Sequence, residues 1–423
     1  MDERQLTDDP LQKDLDNNIN FSADGRLVVF DCRGEGGINT NTRLGYLDVQ
    51  TRKLTIFYTQ KPPELGVGAA SWIGERSVVA IHALTSGLTY EPTVRGGMII
   101  AADGSESRRW LDSRNVIPPF TAGALRGGTH KHEPDASGIW VGFTYNDHIM
   151  KALGQDLRQV GVSMRGKSVP VPDDPQGRNF RGESFTVLLT RCVPKPRPGS
   201  DEYSRAEGDC WVGRHGYPHG SGHQRARAFR GSVVVDEDGR PAAYSDVFIV
   251  DVPDDITVPG PDGPLEGTET TFPAPPKGTI VRRLTRTAEH HDRRLRGVSG
   301  HLRADGAGKW IACMAKALVG DQPITQVFVV SPTTGEMRRL SSIPGGVVGD
   351  PRFSPDGRYV AACASDGAVY MFSAEADRWG RAMQCTPPNA APAHNIVISP
   401  DSGLIVYNRE IGGVEQVFSC RPE

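Results

Sequence analysis

One phrase recurs along this chain and limits what it can fold into. FSADGRLVVF begins at Phe21, FSPDGRYVAA at Phe353 and ISPDSGLIVY at Ile398, with weaker copies at His132 (HEPDASGIWVGF) and Leu302 (LRADGAGKWIA). Each sets an aspartate-centred turn before an apolar, β-rich run, the pattern of a tight hairpin. A further strand follows at a distance (LGYLDV, GGMIIAA, DVFIVDV, QVFVVS, AVYMFS), then a closing phrase (KLTIF, SRRWL, VRRLT, MRRLS). Four strands per repeat is one propeller blade. The units fall near 18–60, 68–112, 129–165, 183–285, 297–341, 348–386 and 393–423, so an all-β, seven-bladed β-propeller spanning 1–423 as a single domain is expected. The last unit lacks its outer strand, and RQLT at residues 4–7 matches the closing phrase. The N-terminal strand is therefore expected to complete the last blade and close the ring, which removes an exposed edge.

The fourth unit is too long for one blade. Insertions are expected at about 191–230 and 253–279, and loops of that length are usually functional or disordered. The first carries Trp211, His215 and His219, read as a wall or lid able to bind substrate. Seven cysteines leave at least one unpaired, and Cys192 and Cys210 flank a turn-rich loop where a disulfide would suit an oxidising compartment. The opening MDERQLTDD has no signal peptide. A mature secreted chain is the expectation, with a cytoplasmic one as the alternative.

The formal net charge of −3 gives a nucleic-acid or acidic-membrane partner no electrostatic support, and no apolar run is long enough to span a bilayer. A monomer is expected.

Candidate site residues concentrate in RGGTHKHEPDASGIWVGFTYNDHIM, residues 126–150. Three residues before the turn aspartate stand Phe21, His132, Leu302, Phe353 and Ile398, so a histidine interrupts an apolar column. Six before it stand Asn18, Thr129, Ser299, Asp350 and Asn395, a polar column expected at the start of the innermost strands with His130, His301 and His394 nearby. Such a ring of oxygen and imidazole groups can hold a cation. Asn18, His301, Asp350, His394 and Asn395 are the metal candidates, calcium favoured and manganese the alternative. His130 and His132 sit on one side of a strand, and the strand after the turn delivers Tyr145, Asn146, Asp147 and His148 to the same end of the hairpin.

That stretch, with PRPGSDEYSRAEGDCWVG and GTETTFPAPPKGTIVRRLT, resembles a bacterial propeller family of unknown function and the propeller polysaccharide lyases of the L-rhamnose-α-1,4-D-glucuronate lyase family. The blades alone resemble TolB-type repeats and those of oligogalacturonate lyase, which speaks for fold more than chemistry. The resemblance implies β-elimination at O4 of a glucuronate in an arabinogalactan-type glycan, with release of terminal L-rhamnose. Such chemistry needs a neutralised carboxylate, a base for the C5 proton and an acid for O4. His130, His132 and His148 are base candidates, Tyr145 is acid or base, and Arg126 and Asn146 are carboxylate partners. Oligogalacturonate lyases use a metal held by imidazoles, and this chain lacks an obvious counterpart at matching spacing.

Two rivals stand beside the lyase. A TolB-like propeller that only binds protein or glycan needs no site, and would scatter the histidines around the ring. A hydrolase would need paired carboxylates, but Glu133, Asp135 and Asp147 read as turn residues and Glu183, Asp201 and Glu202 as loop charges. No G-x-S-x-G elbow is present.

Overall fold

The computed structural model describes residues 2–84, 88–237, 239–289, 295 and 297–422. The chain is an all-β, seven-bladed β-propeller. It divides into two compact units, Asp14–Pro194 with Asp251–Ile280, and Met1–Lys13 with Lys195–Val250 and Val281–Glu423.

The first unit holds three blades. Blade one pairs Leu27–Asp31, Arg43–Asp48 and Leu54–Thr59, with bridges Phe21↔Val28 and Asp14↔Asp31 along its inner edge. Blade two is Val67–Ile73, Ser77–Ala83, Arg95–Ala101 and Arg108–Trp110. Blade three is Gly127–Pro134, Trp140–Asp147, Arg158–Arg165 and Ser184–Leu188. The run at 184–188 therefore closes blade three and does not open blade four. A 3.6-period alternative never arises, because the strands alternate inward and outward residues and pack blade face on blade face: Ile73, Val79, Ile99, Leu111 and Val141 form one such buried cluster.

The second unit holds blades four to seven. Blade four is Ala206–Trp211, Ala226–Glu237, Arg240–Asp251 and Ile280–Arg283. Its insertions are a small hairpin, Tyr217–His219 paired with Gly222–Gln224, and the stretch between residues 251 and 280. Blades five and six follow as four-stranded antiparallel sheets from Val298 to Arg339 and from Val347 to Gln384. Blade seven takes His394–Ile398, Ile405–Ile411 and Val414–Cys420, and its outer strand is Arg4–Gln5, with Arg4 opposite Ser419 and Gln5 opposite Phe418. The N-terminal strand thus completes the last blade. Glu3 anchors it, accepting from Tyr407 Oη at 2.6 Å and from Arg409 Nε at 2.9 Å.

The repeated phrase has a local physical cause. In blade one Ser22 Oγ donates to Asp24 at 2.6 Å, the Asp24 carboxylate accepts the Arg26 amide, and Ser22 Oγ accepts the Leu27 amide. Ser354 with Asp356 and Ser399 with Asp401 repeat the arrangement. A buried serine and a turn carboxylate satisfy the backbone groups that the reversal leaves open.

Each innermost strand of blades two to seven also carries a bulge with a left-handed residue: Ala69, Lys131, Gly208, Gly300, Gly349 and Asn395. The bulge inserts one extra residue in blades two, three, four and seven, and two in blades five and six. Counting back from the turn aspartate therefore misaligns the polar column. Thr129 and Ser299 precede their bulges, whereas Asn395 is the left-handed residue and Asp350 follows one.

The seven cysteines are all thiols. Cys192 and Cys210, whose pairing the sequence left open, are both thiols, and Cys192 Sγ donates to the Arg158 carbonyl at 3.1 Å. No helix among the described residues is long and apolar enough to cross a membrane.

Candidate functional site

Blade three gathers its titratable groups at one end of the Gly127–Pro134/Trp140–Asp147 hairpin, where Gly127 pairs Asp147 and Gly128 pairs Asn146. His130 is 2% exposed, and its Nε2 lies 3.1 Å from Asn146 Oδ1. Asn146 is oriented from both sides: Nδ2 donates to Asp156 at 2.6 Å, and Oδ1 accepts from Arg158 Nε at 3.1 Å. Asn146 Oδ1 accepts from Nε2 in the tautomer that carries the proton there. Arg95 Nη2, which can only donate, stands 3.3 Å from the same ring nitrogen, so Nε2 accepts from Arg95 in the other tautomer. His130 Nδ1 is buried and has no hydrogen-bond partner.

His132 is wholly buried on the side toward blade two. Its Nε2 is 2.9 Å from Thr129 Oγ1, which reaches Asp112 at 3.3 Å. Burial, and then Arg95, pull the His132 pKa down to about 3, so the ring is neutral. Burial pushes Asp112 up to about 6 against the amide of Gly97, which donates to it at 2.9 Å. The ring leaves no room around it: a Cβ at Gly97 would lie 2.6 Å from His132 Nε2.

Tyr145 has no exposed surface. Its hydroxyl donates to Asp147 at 3.0 Å, and burial followed by the Asp147 charge raises its pKa well above the ordinary value. Asp147 accepts three hydrogen bonds, the others being from Arg126 Nε at 2.9 Å and from the Met150 amide at 2.9 Å, the last capping the short helix His148–Ala152. Arg126 spends its remaining donors on the carbonyls of Thr268 and Thr271 and lies over the Phe120 ring. These groups lock the 253–279 insertion to blade three. His148 is half-buried with Nδ1 3.4 Å from Thr93 Oγ1, and burial, then Arg114, lower its pKa.

Trp211, His215 and His219 lie in the second unit. Trp211 ends the first strand of blade four, buried, with the Arg227 guanidinium 4.8 Å from its ring centroid. His215 and His219 are exposed on the small insertion.

Four of the five metal candidates, His301, Asp350, His394 and Asn395, lie in the second unit, each with a side-chain partner. His301 Nδ1 is 2.5 Å from Asp350 Oδ2; burial raises the Asp350 pKa, but the hydrogen bonds and charge of His301 outweigh it and hold the carboxyl below the usual range. His394 Nε2 meets Glu415 at 2.9 Å, and Asn395 meets Asn408 at 3.3 Å. Asn18 belongs to the first unit. Among the described residues no group of three or more histidine, cysteine, aspartate or glutamate side chains is placed to hold a metal ion.

Sequence reasoning did not single out Tyr90, Arg95, Asp112, Asp156 or Arg158. Each comes from a neighbouring strand or loop whose distance from His130 no periodicity encodes.

A family model described as "Protein of unknown function (DUF3748)" matches residues 67–180, spanning blade two and most of blade three. Over 422 residues the chain is 31% identical to the uncharacterized protein YidR of Escherichia coli (strain K12), covering 96% of this chain and 94% of that protein. Among solved structures, an oligogalacturonate lyase in complex with manganese superposes with a TM-score of 0.55 at 12% identity, covering 100% of this chain and 93% of the other. The oligogalacturonate lyase of Vibrio parahaemolyticus gives 0.55 at 11% identity, covering 100% and 94%. At these identities the likeness is one of fold.

Proposed function

The chain belongs to the family of Escherichia coli YidR, and from the chemistry of its third blade we propose that it is a uronate-directed carbon–oxygen lyase. It cleaves at O4 of a glucuronate by β-elimination and releases terminal L-rhamnose from an arabinogalactan-type glycan. The observation that carries this reading is His130, an imidazole whose Nε2 meets Asn146 Oδ1 and Arg95 Nη2 and whose buried Nδ1 has no hydrogen-bond partner, with Arg158 bonded to the same Asn146. The fold shared with oligogalacturonate lyases adds support without assigning a residue.

The C5 proton of a glucuronate is weakly acidic, so its removal depends on stabilising charge on the adjacent carboxylate. Arg158, part-exposed and bonded to Asn146, and Arg95 beside His130 supply that positive charge, whereas Lys131 is paired with Asp16 at 2.7 Å. His130 Nδ1 takes the C5 proton, the electrons form the C4–C5 double bond, and the C4–O4 bond breaks. With so little of His130 exposed, substrate has to part these rim side chains to reach it. His132, Tyr145 and Arg126 act behind the site, as the packing and charge pairs that hold the hairpin end.

A second reading, glycan or protein binding without reaction, draws on the full burial of His132 and Tyr145. One experiment separates them. Purified protein is incubated with a rhamnosyl-glucuronate-capped arabinogalactan, and near-UV absorbance of the unsaturated uronate is followed together with free rhamnose. The lyase gives both together, and His130→Ala loses both. Binding by equilibrium dialysis with neither product supports the second reading, and rhamnose without absorbance indicates hydrolysis.

A further inference from the structure

Elimination also needs a proton donor for the departing oxygen. Tyr145 does not serve, because its proton is committed to Asp147. A different tyrosine meets the requirement. Tyr90, in the loop between the second and third strands of blade two, is half-buried. Its hydroxyl oxygen accepts from Arg95 Nη1, and the hydroxyl hydrogen has no acceptor among the described residues. The same guanidinium holds its other terminal nitrogen 3.3 Å from His130 Nε2. One arginine thus spans the proton acceptor and an uncommitted proton donor.

The position is built rather than incidental. Arg95 is 8% exposed and lies 5.2 Å from the Tyr90 ring centroid, so the cation both binds the oxygen and covers the ring. The ring packs against Gly66, which has φ +115°, and a Cβ there would sit 2.4 Å from Tyr90 Cδ2. Burial raises the Tyr90 pKa and Arg95 works against it; an arginine hydrogen-bonded to the oxygen stabilises the phenolate that forms when the proton leaves.

We propose that Tyr90 is the catalytic acid of this site, protonating the oxygen that leaves C4, with Arg95 as the positioning residue that couples it to His130. The inference rests on the lyase reading above. In the step, His130 takes the C5 proton, the C5–H electrons become the C4–C5 bond, and the C4–O bond pair goes to the leaving oxygen. That oxygen takes the Tyr90 proton and departs as the hydroxyl of the released sugar. Water then reprotonates the phenolate.

The test compares wild type, Tyr90→Phe and His130→Ala on two substrates: the rhamnosyl-glucuronate glycan, and a glucuronate carrying 4-nitrophenol at O4, whose leaving group departs without protonation. Tyr90→Phe is expected to lose about 10²–10⁴-fold in kcat on the glycan, the usual worth of a general acid, while keeping most of its rate on the aryl substrate. His130→Ala loses both. Equal glycan rates for wild type and Tyr90→Phe would overturn the assignment of Tyr90 and leave the lyase standing. A Tyr90→Phe variant inert on both substrates would also overturn it, since a structural role then explains the loss. A wild type inert on both removes the lyase reading and this inference with it.

Discussion

Replacing Asp147 by alanine should loosen the candidate site from beneath. The carboxylate has no exposed surface and its partner Arg126 is 1% exposed. Removing it strands a buried guanidinium, opens the Tyr145 hydroxyl and uncaps the helix at His148. Breaking a buried pair by deleting one partner costs about 3–5 kcal/mol, a large share of the 5–15 kcal/mol or so by which domains are stable. Asp147→Asn should cost less, since the amide oxygen still accepts from the Met150 amide. Arg126→Met should cost as much as Asp147→Ala, because it strands the other charge and releases Thr268 and Thr271. The double variant should lose far less than the two single losses combined, because neither charge remains. Urea denaturation followed by tryptophan fluorescence, with hydrogen exchange at Tyr145 and Asn146 as the local probe, reads all four proteins. Single losses under about 1 kcal/mol, the scale of an exposed ion pair, or strict additivity in the double variant, would refute the reasoning.

Two other perturbations have defined outcomes. Asp112 keeps its proton in the folded chain up to about pH 6, whereas the unfolded chain releases it near 4. The folded state binds more protons in that window, so this group's stabilising contribution is complete below about pH 4 and is lost as pH rises through about 6. Asp112→Asn should flatten that decline, and urea midpoints measured at steps from pH 4 to 7 should show the wild-type curve falling relative to the variant by about 3 kcal/mol; parallel curves would contradict it. Glu3→Ala should open the last blade, because Arg409 has a fully buried side chain and Glu3 is its carboxylate partner. A loss of about 3 kcal/mol, with the first proteolytic cut moving into residues 394–420, is the expected result.

The architecture was legible because it repeats. The Ser-x-Asp turns bond the same way in blades one, six and seven, so FSADGR and FSPDGR report a hairpin wherever they occur, and the missing last strand together with RQLT reported the closure. The boundary between blades three and four was not legible, because SFTVLL reads equally as an inner or an outer strand when an 18-residue loop precedes it. The candidate site was half legible. His130, Asn146 and Asp147 share one hairpin, so their proximity follows from strand register. Tyr90 and Arg95 reach His130 from the adjacent blade, and only side-chain packing places them. The polar column was misaligned for a local reason: bulges of one or two residues shift Asp350 and Asn395 out of the register that a fixed count from the turn aspartate assumes.

The most direct test of the lyase assignment is the mass of the uronate left after wild-type protein has acted on a rhamnosyl-glucuronate oligosaccharide. β-Elimination leaves an uronate lighter by one water than the hydrolysis product, released in step with free rhamnose and absent with His130→Ala. A uronate of full hydrolytic mass, or an oligosaccharide recovered intact from active-site concentrations of folded protein, would contradict it.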